Sequence, residues 1–187
     1  MSDFSTVPAE AKALDDSYVL GTYGRLPVEF VKGSGAVLTD SEGNDYLDFL
    51  GGIGCASLGH CHPAVVAAVR EQAEKLWQVG NYFYVENRGE AANGLSTLLS
   101  RITDESGHVT GSAAVTWKTF FANSGAEANE GAIKLARRWG EVKLDGAYGV
   151  ISAKKSFHGR TLATLAATGQ DKFHETFRPM PAGFASV

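Results

Sequence analysis

The chain has 187 residues, of which 17 are Lys or Arg, 21 are Asp or Glu and 44% are apolar. A net charge of −4 together with ten Phe, six Tyr and three Trp excludes a disordered chain, because enough apolar surface is present to form a core. The sequence has no apolar run of the roughly 18 residues that a membrane span needs, no basic stripe and no secretion signal. We therefore expect a cytoplasmic protein that binds neither membrane nor nucleic acid.

The first elements predicted along the chain form a small antiparallel β meander. The residues before it, up to about Lys12, have no apolar period and are expected to lie loosely on the surface. Three β-rich runs at 28–31, 36–38 and 46–49 follow, separated by turns rich in Gly, Ser and Asp. The glycines of 51–54 then predict a flexible crossing out of the meander.

Helical periodicity follows in two segments. Pro63 suits the first position of a helix that continues to about Trp77, and residues 88–102 repeat apolar side chains at helical spacing. The segment 103–116 is rich in Gly, Ser, Thr and Asp, so it predicts an exposed loop.

The last part of the chain alternates between strands and helices. We expect strands at 117–122 and 148–153, and helices at 125–139 and 161–167. Strands that alternate with helices favour a parallel sheet and therefore the α/β class. A sheet with so few strands leaves its edges unpaired, so we expect the chain to be part of a larger fold.

The junction at Ser124-Gly125-Ala126 is the first candidate site. The first amides of a helix have no intrahelical acceptor and lie at the positive end of the helix dipole, so an anion such as phosphate fits there. Ser124 and Glu127 also have the spacing of a capping box, in which each side chain accepts an N–H from the other residue's backbone. The two interpretations compete only in part, since a capping Ser124 leaves the amides of Gly125 and Ala126 available.

A second candidate site follows the strand at 148–153. Open α/β sheets bind ligands beyond the carboxyl ends of their strands, which places Phe157 and Arg160 near the Ser124 junction. Phe157 can stack on a flat cofactor, and Arg160 can form a two-pronged pair with a carboxylate. Taken singly, Phe157 is better explained as a core ring, Arg160 as a solvated charge and His158 as an ordinary loop histidine; their meeting at one sheet edge is what favours a site.

The run His60-Cys61-His62 raises the question of a metal site. A structural zinc site needs about four ligands, and no further cluster is evident, so we predict no metal and interpret the run as the entry to the Pro63 helix. Cys55 and Cys61 are too few for a disulfide framework, and we expect two reduced, largely buried thiols.

Taken together, these segments resemble a known family. Residues 123–137, which begin Asn-Ser-Gly-Ala-Glu-Ala-Asn-Glu, and Phe-His-Gly-Arg-Thr at 157–161 are similar to the class III, fold type I aminotransferases that use pyridoxal 5′-phosphate. Residues 45–49 and 58–63 fit the same family. Within it, the 157–161 run and Gly-Asn at 80–81 most resemble the acetylornithine aminotransferases.

The resemblance implies a fold and a domain division. Residues 1–60 would be the amino-terminal segment of a small domain, with the antiparallel β segment leading into a mostly parallel α/β large domain. Residues 61–187 would be the first part of that large, cofactor-binding domain. The resemblance further implies that the chain is an amino-terminal half, and that the complete protein is a homodimer.

The resemblance also assigns roles to six residues. Four would bind the cofactor pyridoxal 5′-phosphate and two would contact the amino-acid substrate. The phosphate would be held by Ser124, Gly125 and Ala126, the pyridine ring would stack on Phe157, the substrate α-carboxylate would pair with Arg160, and Tyr23 would contact the substrate.

The implied reaction passes the amino group of N-acetylornithine to 2-oxoglutarate in arginine biosynthesis. None of the nine lysines matches the family's Schiff-base lysine, so we assign no catalytic residue in this chain and expect it to be inactive alone. Ornithine, 4-aminobutyrate and succinylornithine transaminases share these motifs, which leaves the amino donor open. A non-catalytic interaction fragment and a phosphate-binding enzyme of another chemistry are the other open hypotheses.

Overall fold

The computed structural model of the chain describes residues 6–187. Contacts within the chain define two units, Met1–Phe83 and Tyr84–Val187. The helix that begins at Pro63 thus lies in the first unit. The domain boundary expected after residue 60 stays a prediction.

The first unit contains the predicted antiparallel meander. Its three strands pair in the order β1-β2-β3, and the helix that follows begins with Pro63 at its first position, as predicted. The elements in chain order are α1 Ala9–Tyr18, β1 Phe30–Ser34, β2 Val37–Asp40, β3 Asp45–Leu47, the single turn α2 Gly51–Gly54, and α3 Pro63–Lys75.

The turn between β2 and β3 is organised around Asp40, which is 1% exposed. Its carboxylate accepts the N–H of Glu42 at 3.0 Å, the N–H of Asn44 at 2.8 Å and the O–H of Tyr46 at 2.9 Å. Burial opposes the ionisation of Asp40, but hydrogen bonds from Asn44, Tyr46 and Glu42 outweigh it and lower its pKa from 3.8 to about 2. The meander therefore depends on an ionised, fully hydrogen-bonded carboxylate.

Helix α1 occupies part of the stretch that was expected to lie loosely on the surface. Residues 1–5 of that stretch lie outside the described residues. From Ala9 to Tyr18 the chain buries no residue, as expected of a surface segment, but it is helical, and the sequence did not reveal the helix because α1 has no buried face to produce an apolar period. Charged side chains stabilise it instead: Lys12 pairs with Asp16 one turn later, and Arg25 pairs with Asp15 at 2.9 Å.

Residues Gly51–Gly54 form a left-handed turn instead of a flexible crossing. The φ angles of Gly51, Gly52 and Gly54 are 53°, 60° and 84°, which glycine adopts without strain, and Ile53 between them has a φ of 59°, which is unusual for a β-branched residue. Asp48 fixes the start of this turn by accepting the N–H groups of Leu50 and Gly51 at 2.9 Å each. The second oxygen of Asp48 lies 2.7 Å from His60 Nε2, and the hydrogen bonds from His60 and Gly51 lower the pKa of Asp48.

The two cysteines are free, but the expectation that they are buried was wrong, because both are exposed. They line an open cavity of about 440 Å³ beside α3, together with apolar residues such as Val65. His60 contacts Asp48, and no cluster of three or more metal-ligating side chains occurs within residues 6–187.

The second unit contains helices, a hairpin and a parallel strand pair. In chain order its elements are α4 Arg88–Leu99, β4 Arg101–Thr103, β5 Val109–Ser112, α5 Gly125–Lys143, β6 Val150–Ser152, α6 Leu162–Ala167, two 3-10 turns at Asp171–Phe173 and Glu175–Phe177, and β7 Phe184–Ser186. The helices predicted at 88–102, 125–139 and 161–167 are confirmed, with α4 ending earlier and α5 later than expected.

Two sequence expectations for the second unit were wrong. The stretch 103–116 is exposed, as expected, but it is largely a hairpin instead of a loop, because β4 and β5 pair antiparallel. Residues 117–122 form no strand, since no strand among residues 6–187 pairs with them. A strand without a neighbour leaves its backbone polar groups without partners, so apolar composition alone does not produce one.

The parallel arrangement predicted for the last part of the chain is present. β6 and β7 pair in parallel, with Val150 opposite Phe184 and Ser152 opposite Ser186. Beside them, α6 contributes Leu165, Ala166 and Ala167 to the buried apolar core. This confirms the predicted class, an antiparallel β segment leading into an α/β unit.

None of the helices within residues 6–187 has the length and apolar character needed to cross a lipid bilayer.

Candidate active site

Ser124 caps the start of α5. Its Oγ accepts the N–H of Glu127 at 3.1 Å, which confirms half of the predicted capping box. The Glu127 carboxylate reaches one residue further back than the box requires and accepts the backbone N–H of Asn123 at 2.7 Å and its side-chain Nδ2 at 2.9 Å. The two donors on Asn123 offset the negative charge that Glu127 brings to the helix start.

The amides of Gly125 and Ala126 remain available at the cap. Neither donates to an acceptor within residues 6–187. The space beside Gly125 is open, since a Cβ placed on it would meet nothing within 4 Å. The cap and the anion-site interpretations of this junction are therefore compatible, because the cap uses Ser124 and leaves two amides at the positive end of the helix dipole.

Gly159 brings the second candidate segment onto the start of α5. Its φ is +132°, and a Cβ placed there would lie 2.7 Å from Ala126 Cβ and 2.6 Å from Thr164 Oγ1. Only glycine fits this position, because it must combine a positive φ with direct contact against the helix. The backbone between Phe157 and Arg160 thus lies against the residue that supplies one of the two available amides.

Two hydrogen bonds fasten the same segment to the second turn of α5. Asn129 Nδ2 donates to the carbonyl oxygen of His158 at 2.7 Å. The hydroxyl of Thr161 donates to the Glu130 carboxylate.

Phe157 and Arg160 lie together beside a second aromatic residue, Phe173. The guanidinium carbon of Arg160 is 5.9 Å from the centroid of the Phe157 ring and 5.7 Å from that of Phe173. The two rings meet edge-on, with centroids 6.4 Å apart. Phe157 is 57% exposed, so part of its surface is accessible to a flat ligand.

Phe173 was not found from the sequence. It lies in the 3-10 turn Asp171–Phe173, and no motif singles it out; only the folding of that turn brings it to Arg160. Tyr23, by contrast, is an exposed residue of the first unit, and its contact with substrate stays a prediction.

Comparison with known proteins identifies the family. The sequence profile of the class III aminotransferases matches residues 20–187. The chain belongs to the class III aminotransferase family. This confirms the family expected from the motifs at 123–137 and 157–161.

Individual relatives agree with the family assignment. This class III aminotransferase chain is 48% identical over 174 residues to the acetylornithine aminotransferase of Caldanaerobacter subterraneus subsp. tengcongensis, covering 92% of this chain and 40% of that protein. It is 46% identical over 182 residues to the acetylornithine aminotransferase of Synechocystis sp., covering 96% of this chain and 39% of that protein. The chain therefore spans about 40% of the length of the curated relatives it matches.

A solved structure shows the same fold. The ornithine aminotransferase of Toxoplasma gondii superposes with a TM-score of 0.80 at 31% identity, covering 94% of this chain and 39% of that one. The fold is therefore that of the pyridoxal-phosphate-dependent class III transaminases, as the sequence motifs predicted.

Proposed function

We propose that this chain forms the phosphate-, ring- and carboxylate-binding part of a transaminase site that moves the amino group of N-acetylornithine to 2-oxoglutarate. The observation that carries the proposal is the contact between Gly159 and Ala126, which joins the two candidate segments into one site. Residues that lie 33 positions apart in sequence are thereby neighbours in space.

The start of α5 fits the cofactor's phosphate. The amides of Gly125 and Ala126 are available, and the helix dipole adds partial positive charge. The Ser124 hydroxyl accepts from Glu127 N–H, which leaves its own proton free to be donated to a phosphate oxygen. Open space beside Gly125 admits the phosphate group.

Phe157 and Arg160 fit the remaining parts of cofactor and substrate. Phe157 offers an accessible aromatic surface on which a pyridine ring can stack. The Arg160 guanidinium is planar and permanently charged, so it orients an α-carboxylate through two parallel hydrogen bonds. When bound, pyridoxal 5′-phosphate supplies the electron sink for charge that develops at the substrate's α-carbon.

The proposed amino donor rests on the relatives. The Caldanaerobacter and Synechocystis proteins are acetylornithine aminotransferases, whereas the Toxoplasma structure is an ornithine aminotransferase of lower identity. This difference favours N-acetylornithine, and with it a role in arginine biosynthesis, over ornithine, 4-aminobutyrate or succinylornithine. The family resemblance further supports a cytoplasmic homodimer as the setting of the reaction.

The proposal includes a limit on what these 187 residues do alone. None of the nine lysines matches the family's cofactor-linking lysine, so the isolated chain should bind pyridoxal 5′-phosphate without transferring an amino group. A non-catalytic interaction fragment that keeps the phosphate-binding start of α5 is the alternative, and it predicts no amino-group transfer by the protein purified from its source cells.

Cofactor binding is tested by titrating the 187-residue chain with pyridoxal 5′-phosphate and following tryptophan fluorescence. We expect saturable binding that inorganic phosphate competes away and that is much weaker for pyridoxal, which lacks the phosphate. Equal binding of pyridoxal and its phosphate would reject the assignment of the α5 start as the phosphate site.

The reaction is tested on the protein purified from its source cells, so that any partner stays with it. Transfer to 2-oxoglutarate is compared for N-acetylornithine, ornithine and 4-aminobutyrate. The highest kcat/KM for N-acetylornithine is the expected result. Preference for another donor reassigns the substrate, and the absence of transfer from all three rejects the transaminase proposal.

A further inference from the structure

The backbone of His158 is held at both of its polar groups. Its N–H donates to Thr168 Oγ1 at 3.0 Å, and its carbonyl oxygen accepts from Asn129 Nδ2 at 2.7 Å. Phe157 precedes His158, and Arg160 follows it by two residues. The position of the His158 backbone therefore influences where both side chains of the candidate site begin.

The two anchors of His158 come from different parts of the second unit. Thr168 is 0% exposed and also donates to the carbonyl of Thr164, so it belongs to the packed end of α6. Asn129 belongs to α5 and follows Gly125 by four residues, so both residues lie on the same helix face. Asn129 is thus the α5 side chain that holds the middle of the 157–160 segment, and Glu130 holds Thr161 just after it.

Neighbouring contacts keep the rest of the segment in register. Gly159 packs against Ala126, and Thr161 donates to Glu130. Both contacts involve residues after His158. The Asn129 hydrogen bond, in contrast, holds the carbonyl oxygen of His158 itself, directly after Phe157. Loss of that bond would free the His158 carbonyl from α5, although Ser156 would still accept from Gly169 and Gln170, and the His158 N–H would still donate to Thr168.

We propose that Asn129 is a positioning residue, whose side-chain amide fixes Phe157 and Arg160 relative to the Gly125 and Ala126 amides. This inference rests on the proposed function, because it concerns the same site. A carbonyl oxygen can only accept, so the contact needs a donor: the amide of asparagine provides one, and the ionised carboxylate of aspartate, which has nearly the same shape, does not.

Three variants of the 187-residue chain test the proposal. Asn129→Ala removes the donor, and Asn129→Asp replaces it with an acceptor of equal size. Asn93→Ala, at an exposed position of α4, is the matched control for loss of a helical asparagine. Two quantities are measured for each: amide hydrogen exchange of the 157–161 segment, and the dissociation constant for pyridoxal 5′-phosphate.

We expect both Asn129 variants to exchange faster at 157–161 and to bind pyridoxal 5′-phosphate roughly tenfold more weakly than Asn93→Ala, the change typical of losing one part-buried hydrogen bond. Behaviour of Asn129→Asp equal to that of Asn93→Ala in both measurements overturns the proposal, because side-chain volume alone would then suffice. If even the unsubstituted chain fails to bind the cofactor, the proposed function is rejected. The positioning role is then tested by the hydrogen-exchange rates alone, and unchanged exchange at 157–161 in both Asn129 variants overturns it.

Discussion

Arg160 shows how neighbouring residues prepare a side chain for its task. Its guanidinium lies over the rings of Phe157 and Phe173, which attract the cation through their π faces and restrict its orientation. A restricted, planar guanidinium loses less conformational entropy when it meets a carboxylate. The aromatic pair therefore supports the carboxylate-binding role proposed for Arg160.

Replacing Arg160 should mainly weaken the binding of amino-acid substrate. A hydrogen-bonded pair with a charged group contributes about 1.5–3 kcal/mol, so Arg160→Ala should lower kcat/KM for the donor by roughly 10- to 150-fold, chiefly through a higher KM. Arg138→Ala, which removes an exposed arginine of α5, serves as the control. Steady-state kinetics on the protein from its source cells measure both, and an unchanged KM for Arg160→Ala would reject the carboxylate role.

Asp40 should make the first unit sensitive to acid. Because its folded pKa, about 2, lies below the ordinary value of 3.8, ionised Asp40 stabilises the fold above pH 3.8, and this contribution is lost as the pH falls from about 4 to about 2. Asp40→Asn should therefore lower the melting temperature at neutral pH and flatten its dependence on pH in this window.

The control for this prediction is Asp145→Asn, which changes an exposed aspartate in the second unit. It should leave the melting temperature and its pH dependence close to those of the unsubstituted chain. Thermal melts followed by circular dichroism at a series of pH values provide the comparison. Equal acid sensitivity of Asp40→Asn and the unsubstituted chain would contradict the role given to Asp40.

At the scale of elements, the sequence predicts those helix boundaries that are determined by residues within one turn of the helix end. The start of α5 and the first position of α3 were predicted correctly, because a cap at Ser124 and a proline at 63 act within one turn of the helix. Residues 117–122 were not, because a strand exists only with a partner, and partners are distant in sequence. Helix α1 was missed for a related reason, since it buries no face whose period could reveal it.

The Ser124 cap allows stability and anion binding to be separated. Ser124→Ala should destabilise the second unit by about 1 kcal/mol, because Glu127 N–H loses its acceptor. Ser124→Asp keeps an acceptor, so it should preserve the melting temperature but weaken pyridoxal 5′-phosphate binding through charge repulsion. Thermal melts and cofactor titrations on both variants distinguish the two effects; a normal affinity in Ser124→Asp would place the phosphate elsewhere.

The junction of α5 with the 157–161 segment should not tolerate a side chain at Gly159. Gly159→Ala adds a Cβ against Ala126 at a φ that other residues rarely adopt, and backbone strain alone costs about 1–3 kcal/mol. We expect loss of cofactor binding together with a lower melting temperature. Gly149→Ala is the matched control, since a Cβ there meets nothing within 4 Å. Similar behaviour of the two variants would show that the segment does not pack on Ala126.

At the scale of the whole chain, both units leave large apolar side chains exposed. In the first unit Phe49 and Ile53 are 93% and 91% exposed, and in the second Leu135 and Ile151 are each 72% exposed. Apolar surface of this extent is a site of association when nothing covers it.

The contact of Phe173 with Arg160 depends on tertiary folding, which is why no sequence pattern indicated it.

The isolated chain should consequently self-associate. We expect light scattering that rises with protein concentration and strong binding of a dye that fluoresces in apolar environments. Addition of the part of the Caldanaerobacter acetylornithine aminotransferase that this chain does not match should reduce both signals. A monomer that binds no dye, shown by sedimentation at micromolar concentration, would contradict this prediction.

The contact of Gly159 with Ala126 has a thermodynamic consequence. Because no gap separates the two segments, a shift of the helix start in response to a bound anion would displace the backbone that carries Phe157 and Arg160. We therefore expect occupancy of the phosphate site to change the affinity of the carboxylate site, and linkage requires the effect to be equal in both directions. Inorganic phosphate and a simple carboxylate such as acetate should each alter the other's dissociation constant by the same factor.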